Sequence, residues 1–402
     1  MTPPRRRHRS HGRAIVTFAL LVAVLGIPRP SLAGDISWRG LLDLVGSEWS
    51  ELPEQNLLTR GDSPYDAYRL RLFADAQVSD HLRIVSQFVY ADASGPYVDG
   101  VYASYTPWTE RDAHLLAGKL PWPVGTWAPR TYSNVNPLLT SPLIYQYHSS
   151  LVWYGLPADA DELLATAGSG QTGVEYGGTY YGAGMPIVDD SYWDVGVTVN
   201  GSERPLEYAL GVVAGAPGWG STGRDDNSGK SVLGRVGLLP MPWLRVGVSG
   251  SYGPYLSYEL ASSLPAGRSV NDYAQVLAMA DLGIQAGHLE VNVEGAHNTW
   301  QTPTVGDLDV DAGYVEVKYQ FMAGAYAAGR YDVERFGRIE DSAGVDAPWD
   351  ADVTRIEAGA GYRFSRGVLG KVVYQHDERD FGRSGVENER LSAVAAQLSI
   401  AF

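Results

Sequence analysis

The chain has 402 residues, no cysteine and a formal net charge of −15 at pH 7. Without cysteine it has neither a disulfide framework nor a thiolate metal site, which excludes a small disulfide-stapled fold. The acidic balance disfavours nucleic acid as a partner, because phosphates would be repelled. Hydrophobic residues make up 45%, and 25 Tyr against 8 Phe suit a membrane–water boundary, so an ordered all-β chain is favoured.

The N-terminus is typical of an export signal. A basic start precedes an apolar run from Ala14 to Ile27, which is followed by small residues before Gly34. This order predicts a cleaved secretory signal peptide, 1–33, and a mature single domain, 34–402. The alternative is a retained membrane anchor, but the apolar run is too short to span a bilayer comfortably.

Most of the mature sequence alternates apolar and polar residues. Leu289, Val291 and Val293 alternate with polar or charged neighbours, and the same period of two recurs at 315–321 and 356–364. Successive side chains of a strand face opposite sides of the sheet, so each segment has one apolar face. A soluble β-sandwich shows the same alternation. Segments of about ten residues with charged polar faces instead favour strands that cross a bilayer around a wet lumen.

The pattern predicts an all-β fold, a transmembrane antiparallel β-barrel. Sixteen strands are expected at about 35–45, 66–78, 81–91, 97–106, 112–120, 191–200, 205–215, 231–239, 243–253, 271–285, 288–299, 310–321, 324–335, 352–364, 368–377 and 390–402. Residues 172–183 resemble a seventeenth strand. Because single-chain bacterial barrels have even strand numbers, we expect sixteen strands, with eighteen as the alternative.

The connections alternate in length, with short turns predicted on the periplasmic side and long polar loops outside. The long loops are expected at 215–230, 254–271, 300–309, 337–351 and 378–389. A further segment, 121–190, is longer than an ordinary loop and rich in aromatic residues, so it is predicted to fold back and narrow the barrel. Trp122, Trp127 and Arg130 are the residues expected at this constriction.

The end of the chain resembles outer-membrane barrels. Phe402, Ile400 and Leu398 share one face of the last predicted strand, like the terminal signal that barrel-assembly machinery recognises. The stretch from Leu115 to Arg130 resembles that of porins related to the phosphate-selective type, in which a strand runs into a constricting loop. The resemblance implies a homotrimer. Phosphate-selective members line their pores with lysine and arginine, whereas this chain has few lysines.

Charged residues on the polar faces of the strands are the candidates for the pore lining. The basic candidates are Arg69, Arg71, Arg83, Arg245, Lys318, Arg330, Arg355 and Arg363, and the acidic ones are Asp194, Glu207, Glu290, Glu294, Glu316, Asp332 and Glu357. Opposed charged walls would set the ion preference of a pore. In the alternative interpretation these residues pair across strands and stiffen the wall.

Other chemistry is weakly indicated. Acidic clusters, Asp307, Asp309 and Asp311 in one and Asp225 and Asp226 in another, suggest calcium near lipopolysaccharide, but solvated loop charge is preferred because neither has the spacing of a calcium loop.

No enzyme motif is complete. The sequence Gly229-Lys230-Ser231 lacks the spacing of a phosphate-binding loop. The prediction is therefore a porin that passes small polar solutes through the membrane, with outer-membrane lipids around it. The alternatives are a plugged structural or adhesive barrel and a barrel hydrolase with a serine or aspartate beside a histidine on its outer wall.

Overall fold

The computed structural model describes residues 36–49, 65–91, 95–108, 110–170, 172–189, 193–219, 227–383 and 385–402. The predicted signal peptide lies outside these residues. Sixteen antiparallel strands form one closed barrel. They are β1 (Ile36–Trp49), β2 (Tyr68–Gln77), β3 (Leu82–Ala91), β4 (Gly95–Tyr105), β5 (Asp112–Pro121), β8 (Trp193–Glu203), β9 (Leu206–Val213), β10 (Ser231–Met241), β11 (Leu244–Pro254), β12 (Ala274–Ala286), β13 (Leu289–Thr302), β14 (Gly306–Met322), β15 (Ala325–Phe336), β18 (Asp352–Ser365), β19 (Val368–Asp380) and β20 (Glu389–Ala401).

The predicted strand count is confirmed. Each expected strand overlaps one strand of the barrel, and the eighteen-strand alternative is wrong. Residues 172–183 form a separate two-stranded hairpin of β6 (Val174–Tyr176) and β7 (Thr179–Gly182). Gly177 and Gly178, with φ of 57° and 74°, turn the chain back there after three residues. Strands this short cannot cross a bilayer.

The alternation in the sequence gives the barrel an apolar outer surface. On β14, Val315, Val317 and Tyr319 point outwards and are exposed, whereas Glu316 between them is buried inside. The same pattern on the other strands exposes a band of Val, Leu, Ile, Tyr and Phe around the barrel, as an outer-membrane barrel requires. No helix among the residues that the structure describes is long and apolar enough to cross a bilayer.

The connections at one end of the barrel are short, and most of those at the other end are long. The prediction of a long loop at 300–309 is wrong. There β13 and β14 stay paired up to Thr302 and Gly306, so only a tight turn remains. Polar residues such as Thr299 and Asp309, joined by a 2.5 Å hydrogen bond, continue the strands beyond the apolar band. The loop at 337–351 contains a small hairpin of β16 (Arg338–Glu340) and β17 (Asp346–Pro348).

Much of the described chain between β5 and β8 packs inside the barrel, and we call residues 122–170 and 172–189 the inner segment. It contains a 3-10 turn at Ala128–Arg130 and two short helices, α1 (Leu143–Gln146) and α2 (Ala160–Ala165). Trp127 and Tyr145 of this segment are fully buried and pack with inward-facing aromatic rings such as Tyr314 of β14. A hydrophobic core therefore occupies part of the lumen, which is unusual for a wide aqueous channel.

The C-terminus closes the barrel. Phe402 exchanges two backbone hydrogen bonds with Gly40 of β1, at 2.7 and 3.0 Å. The Phe402 ring covers Gly40, where a Cβ would come within 2.3 Å of the ring. Ile400 and Leu398 pair with Leu42 and Leu44 along the same face. The residues predicted as the assembly signal thus form part of the seam between the last strand and the first.

Candidate pore and its constriction

Carboxylates of the barrel wall hold the inner segment in place. Glu294 of β13 accepts hydrogen bonds from the amide and hydroxyl of Thr126, the latter at 2.7 Å, and from the hydroxyl of Tyr145 at 2.6 Å. Glu357 of β18 accepts from the Thr140 amide at 3.1 Å and from its hydroxyl at 2.5 Å. Both carboxylates are buried, and charge-assisted bonds of this kind are stronger than neutral ones.

A buried lysine provides the complementary contact with carbonyl groups. The Lys371 ammonium on β19 donates to the carbonyls of Ser133, Asn136 and Leu138 at 3.0, 3.1 and 2.7 Å. These bonds use all three of its donors. The lysine thus fixes a turn of the inner segment that has no secondary structure of its own.

Arg330 is the centre of an ionic network behind the inner segment. Its guanidinium contacts Glu357 at 2.5 Å, Asp332 at 3.1 Å and Glu316 at 3.3 Å, and donates to the Thr140 carbonyl at 3.0 Å. All three carboxylates are buried. Removal of one partner would leave buried charge uncompensated, so the network is expected to tolerate little displacement of the segment.

Arg130 joins the same network from the inner segment. Its guanidinium bonds to Glu316, donates to the Tyr314 hydroxyl at 3.1 Å and lies 4.9 Å from the centre of the Trp127 ring. Burial acts to lower the pKa of the Arg130 guanidinium, but Glu316 and neighbouring acids raise it above its ordinary value. Arg130 is therefore a permanent cation whose role here is to attach the segment to β14.

A cavity of 420 Å³ remains between the inner segment and the opposite wall, and we call it the first cavity. The inner segment contributes mainly apolar groups and the strands β2 to β10 mainly polar ones. Residues on the segment side include Trp122, Pro123, Val124, Ala128, Pro129 and Tyr132, and those on the strand side include Arg71, Gln87, Asp99, Tyr102, Trp193, Asn200, Glu207 and Arg235. This is the candidate conducting space of the barrel.

The arginines of the first cavity are paired with carboxylates. Arg235 makes a two-pronged contact with Asp281 at 2.7 and 3.0 Å and approaches Glu207 at 3.4 Å. Arg71 lies 3.5 Å from Asp43. The cavity therefore contains charges of both signs, and carboxylates outnumber guanidinium groups around Arg235. The electric field of these groups is concentrated in such a narrow, low-dielectric space.

A second cavity of 600 Å³ lies on the side of the short turns, lined by Arg366 and Gly367 of the turn between β18 and β19 and by Phe402. Tyr132 borders both cavities. Its hydroxyl donates to Gln87 at 2.8 Å. The Tyr132 ring therefore contributes to the lining of both cavities.

Comparison with solved structures identifies the architecture. OmpT of Vibrio cholerae, an outer membrane protein in its trimer form, matches with a TM-score of 0.53 and 12% identity over 92% of this chain and 100% of that one. Salmonella typhi OmpF in complex with daunomycin gives 0.53 and 14% over 94% and 100%. The outer membrane channel DcaP of Acinetobacter baumannii gives 0.53 and 10% over 94% and 99%.

The chain has the fold of an outer-membrane porin. No protein-family model and no curated protein sequence matches it. Identities this low establish the porin fold and leave the solute open. With its apolar outer band, the barrel belongs in the outer membrane of a Gram-negative bacterium.

The residues predicted to line the pore fall into three groups within this porin fold. Six of them lie behind the inner segment and contact it, namely Glu294, Glu316, Arg330, Asp332, Arg355 and Glu357. Arg71 borders the first cavity, as does Glu207. The first group is buried because the segment covers that wall, which the alternation of residues alone does not reveal.

The remaining pore-lining candidates occupy the rims or make local pairs. Arg69 lies 3.8 Å from Asp66, Arg83 bonds to Asp75 at 2.6 Å, Lys318 lies 3.3 Å from Glu290, Arg363 donates to the Asn134 carbonyl at 3.0 Å, and Asp194 accepts from the Gly215 amide at 2.7 Å. Arg245 is partly buried at the start of β11. Of these contacts, Arg83 with Asp75 and Lys318 with Glu290 join neighbouring strands, as in the alternative interpretation in which charges stiffen the wall.

The three residues predicted at the constriction differ in position. Trp122 borders the first cavity, whereas Trp127 and Arg130 lie behind it in the contact with β14. Asp99 and Arg235 are among the residues that sequence reasoning missed. Alternation along β10 is sufficient to predict Arg235 on the lumen face. Asp99 could not be predicted in this way, because an irregularity in β4 breaks the period of two there.

Two further predictions concern the outer surface. Asp309 and Asp311 bond to Thr299 and His297 on the outside of β13 and β14, and no group of metal-ligating residues occurs in the described part of the chain. Asp225 and Asp226 lie outside the described residues.

One histidine on the outer wall contacts a serine. His376 Nδ1 lies 2.8 Å from Ser392 Oγ, and its Nε2 lies 3.5 Å from Glu378. A Ser–His–acid triad places the serine on Nε2 and the acid on Nδ1. The order is reversed here, and the two residues face each other directly as a cross-strand pair of β19 and β20. The contact is that of a cross-strand pair, which stabilises a sheet.

Proposed function

We propose that this protein is a restrictive diffusion channel for small polar solutes and ions, without a catalytic step. The observation that supports it most is the first cavity of 420 Å³, with polar groups on one wall and the inner segment on the other. The second cavity, beyond Tyr132, continues the space towards the short turns. In this proposal the two cavities are parts of one path on one side of the barrel, next to the inner segment that fills the other side.

In this proposal the inner segment keeps its position and does not open or close the channel. The inner segment makes charge-assisted bonds to β13, β15, β18 and β19, mostly through buried groups such as Glu294, Glu357 and Lys371. Segments with many buried contacts open rarely. We therefore expect steady conductance of small amplitude, because the open cross-section is only a part of what sixteen strands enclose.

The charges predict a modest preference for cations. Arg71 and Arg235 each pair with a carboxylate, and Asp99 and Glu207 add negative charge to the first cavity. Charged groups at a constriction set ion preference. A preference for cations argues against phosphate selectivity, the property that the resemblance to phosphate-selective porins would suggest.

Single-channel recording tests the proposal. The mature chain, refolded and inserted in a planar bilayer, is expected to give steady steps and a cation-biased reversal potential in a salt gradient. Glu207→Gln should reduce that bias, whereas Asp346→Asn, in the outer hairpin, should not. An anion bias would contradict the charge argument, and folded protein that never conducts would overturn the channel itself.

A plugged structural barrel is the second candidate, because a hydrophobic core lies within the lumen. Trp300, Leu308 and Val310 of β13 and β14 pack inwards and are fully or almost fully buried. An open aqueous pore does not need such a core, and a filled lumen is compatible with a barrel that presents its loops to a partner. Absence of conductance together with native heat-modifiable migration in gels would favour this candidate.

The assembly and the partners belong to the same proposal. We expect lipids and lipopolysaccharide around the apolar band, and assembly machinery that recognises the terminal Phe402. A homotrimer is expected from the resemblance to porins, and OmpT of Vibrio cholerae is described in a trimer form. Light scattering on detergent-purified protein measures this directly; a monomer would contradict it.

A further inference from the structure

The first cavity has two unlike faces. Two aromatic rings, Tyr102 and Trp193, border it with their centroids 6.3 Å apart, and both are partly exposed. Gln87, Asn200 and Glu207 provide amide and carboxylate groups in the same cavity. An apolar surface beside hydrogen-bonding groups favours a solute that is itself apolar on one face and polar at its edges.

Two polar atoms at this cavity have no hydrogen-bond partner among the residues that the structure describes. They are the Asn200 Oδ1 acceptor and the Trp122 Nε1 donor, and both atoms are buried. Buried polar groups are nearly always paired, so each one calls for a partner. A hydroxyl can serve either atom, as a donor to Asn200 Oδ1 or as an acceptor from Trp122 Nε1, once that side chain turns towards the cavity.

We infer that the first cavity is a binding subsite for neutral ring-shaped polyols, that is, pyranose sugars; this inference rests on the proposed channel function. A pyranose has C–H groups on its faces, which suit aromatic rings such as Tyr102 and Trp193, and hydroxyls at its edge, which suit Gln87, Asn200 and Glu207. The volume of 420 Å³ lies within the range of about 300–1,000 Å³ of small-ligand sites. A monosaccharide or a disaccharide therefore fits.

The charges of the cavity agree with a neutral solute. Arg235 is already bound to Asp281 by two contacts, and Arg71 has Asp43 at 3.5 Å. An anionic solute would have to compete with these carboxylates, and the acidic groups that remain would repel it. A neutral solute neither competes with these carboxylates nor is repelled by the acidic groups. The cavity would recognise it by its ring shape and its hydrogen bonds.

Ion current in the presence of sugar tests the inference. Maltose added to wild-type channels is expected to reduce the current in a saturable manner, whereas the acyclic polyol sorbitol at equal concentration should not. Trp193→Ala should weaken maltose block by about tenfold, as expected for loss of one aromatic contact. Trp193→Phe should retain most of the block, and Asn200→Ala should weaken it by a smaller factor. Trp219→Ala, a loop tryptophan that stacks on Trp153 away from this cavity, is the matched control.

The outcomes separate this inference from the channel proposal. Conductance with equal effects of maltose and sorbitol overturns the sugar subsite and leaves the channel intact. Calorimetric binding of maltose to folded protein that does not conduct overturns the channel and keeps the subsite. If Trp193→Ala fails to fold, Asn200→Ala decides, because an unchanged maltose block in that variant would also overturn the subsite.

Discussion

At the scale of single residues, the seam between the first and last strands depends on one missing side chain. Gly40 leaves room for the Phe402 ring, which lies over it while the two backbones exchange hydrogen bonds. An aromatic ring that covers a glycine on the neighbouring strand shields its backbone and helps to fix register. The terminal aromatic therefore has a structural role in the folded barrel besides its predicted role in assembly.

Gly40→Ala should displace the Phe402 ring and weaken the seam. The expected loss is about 1 kcal/mol, the scale of a lost aromatic contact. It is measured as a lower midpoint of heat-modifiable gel migration. Gly46→Ala on the same strand is the control, because nothing lies within 4 Å of a Cβ built there. If both variants melt alike, or if Gly40→Ala adds fully to Phe402→Ala in a double-mutant cycle, the ring contact has no such role.

Lys371 offers a second test at this scale. Lys371→Met should leave three buried carbonyls of the inner segment unsatisfied, at a cost of roughly 3 kcal/mol if each loses about 1 kcal/mol. Lower thermal stability and noisier single-channel current are expected. Lys318→Met is the matched control, because that lysine is partly exposed with a 3.3 Å ion pair and should change stability by at most about 1 kcal/mol. Equal effects of the two changes would contradict the carbonyl contact.

At the scale of elements, the sequence predicts the strands well and the inner segment poorly. Alternation fixes strands such as β13 and β14 because each has a lipid face and a lumen face, and a shift of one residue would exchange them. The inner segment has no period, and its position depends on contacts with residues far along the chain, such as Thr140 with Glu357. No local pattern encodes such contacts, which explains why the sequence alone predicts Trp127 and Arg130 at the constriction.

Asp350, in the loop before β18, attaches the inner segment at its outer end and makes it sensitive to pH. It accepts hydrogen bonds from the amides of Ser150 and Gly168 at 2.5 Å each and from the Tyr147 hydroxyl at 3.2 Å. Burial raises the pKa of the Asp350 carboxyl, although the amide hydrogen bonds of Gly168, Ala351 and Ser150 act to lower it. Overall the pKa of the Asp350 carboxyl is raised, so the folded state favours the protonated carboxyl more than the unfolded chain does.

This direction predicts how stability changes with pH. The contribution of a raised carboxyl pKa is fully present below the ordinary value of about 3.9 and is lost as pH rises through the folded-state value. Asp350→Asn is neutral throughout. The melting-temperature advantage of wild type over this variant should therefore be largest in acid and smaller at neutral pH. A difference that grows as pH rises would show that the hydrogen bonds to the ionised carboxylate outweigh its burial.

At the scale of the whole molecule, the barrel and the inner segment are separable in principle. β5 and β8 pair without interruption from Asp112 with Ser202 to Pro121 with Trp193, so closure of the sheet does not need the residues between them. If the inner segment were removed, water in the lumen would solvate the charged wall residues behind it. These residues would then no longer need their present partners. The barrel thus determines where the protein lies, and the inner segment determines how much of its interior is open.

Replacing residues 126–187 by a short Gly-Ser linker should consequently yield a folded barrel with a wider pore. Sixteen strands enclose an aqueous channel when nothing fills it, so conductance should rise several-fold and maltose block should disappear. The melting temperature should fall, because Glu294, Glu357 and Lys371 lose their contacts with the segment. Shortening the tip of the outer hairpin, 341–345, is the control and should leave conductance unchanged. Unchanged conductance after the large replacement would mean that the inner segment does not limit the current. The restriction would then lie in the barrel wall or in its other loops.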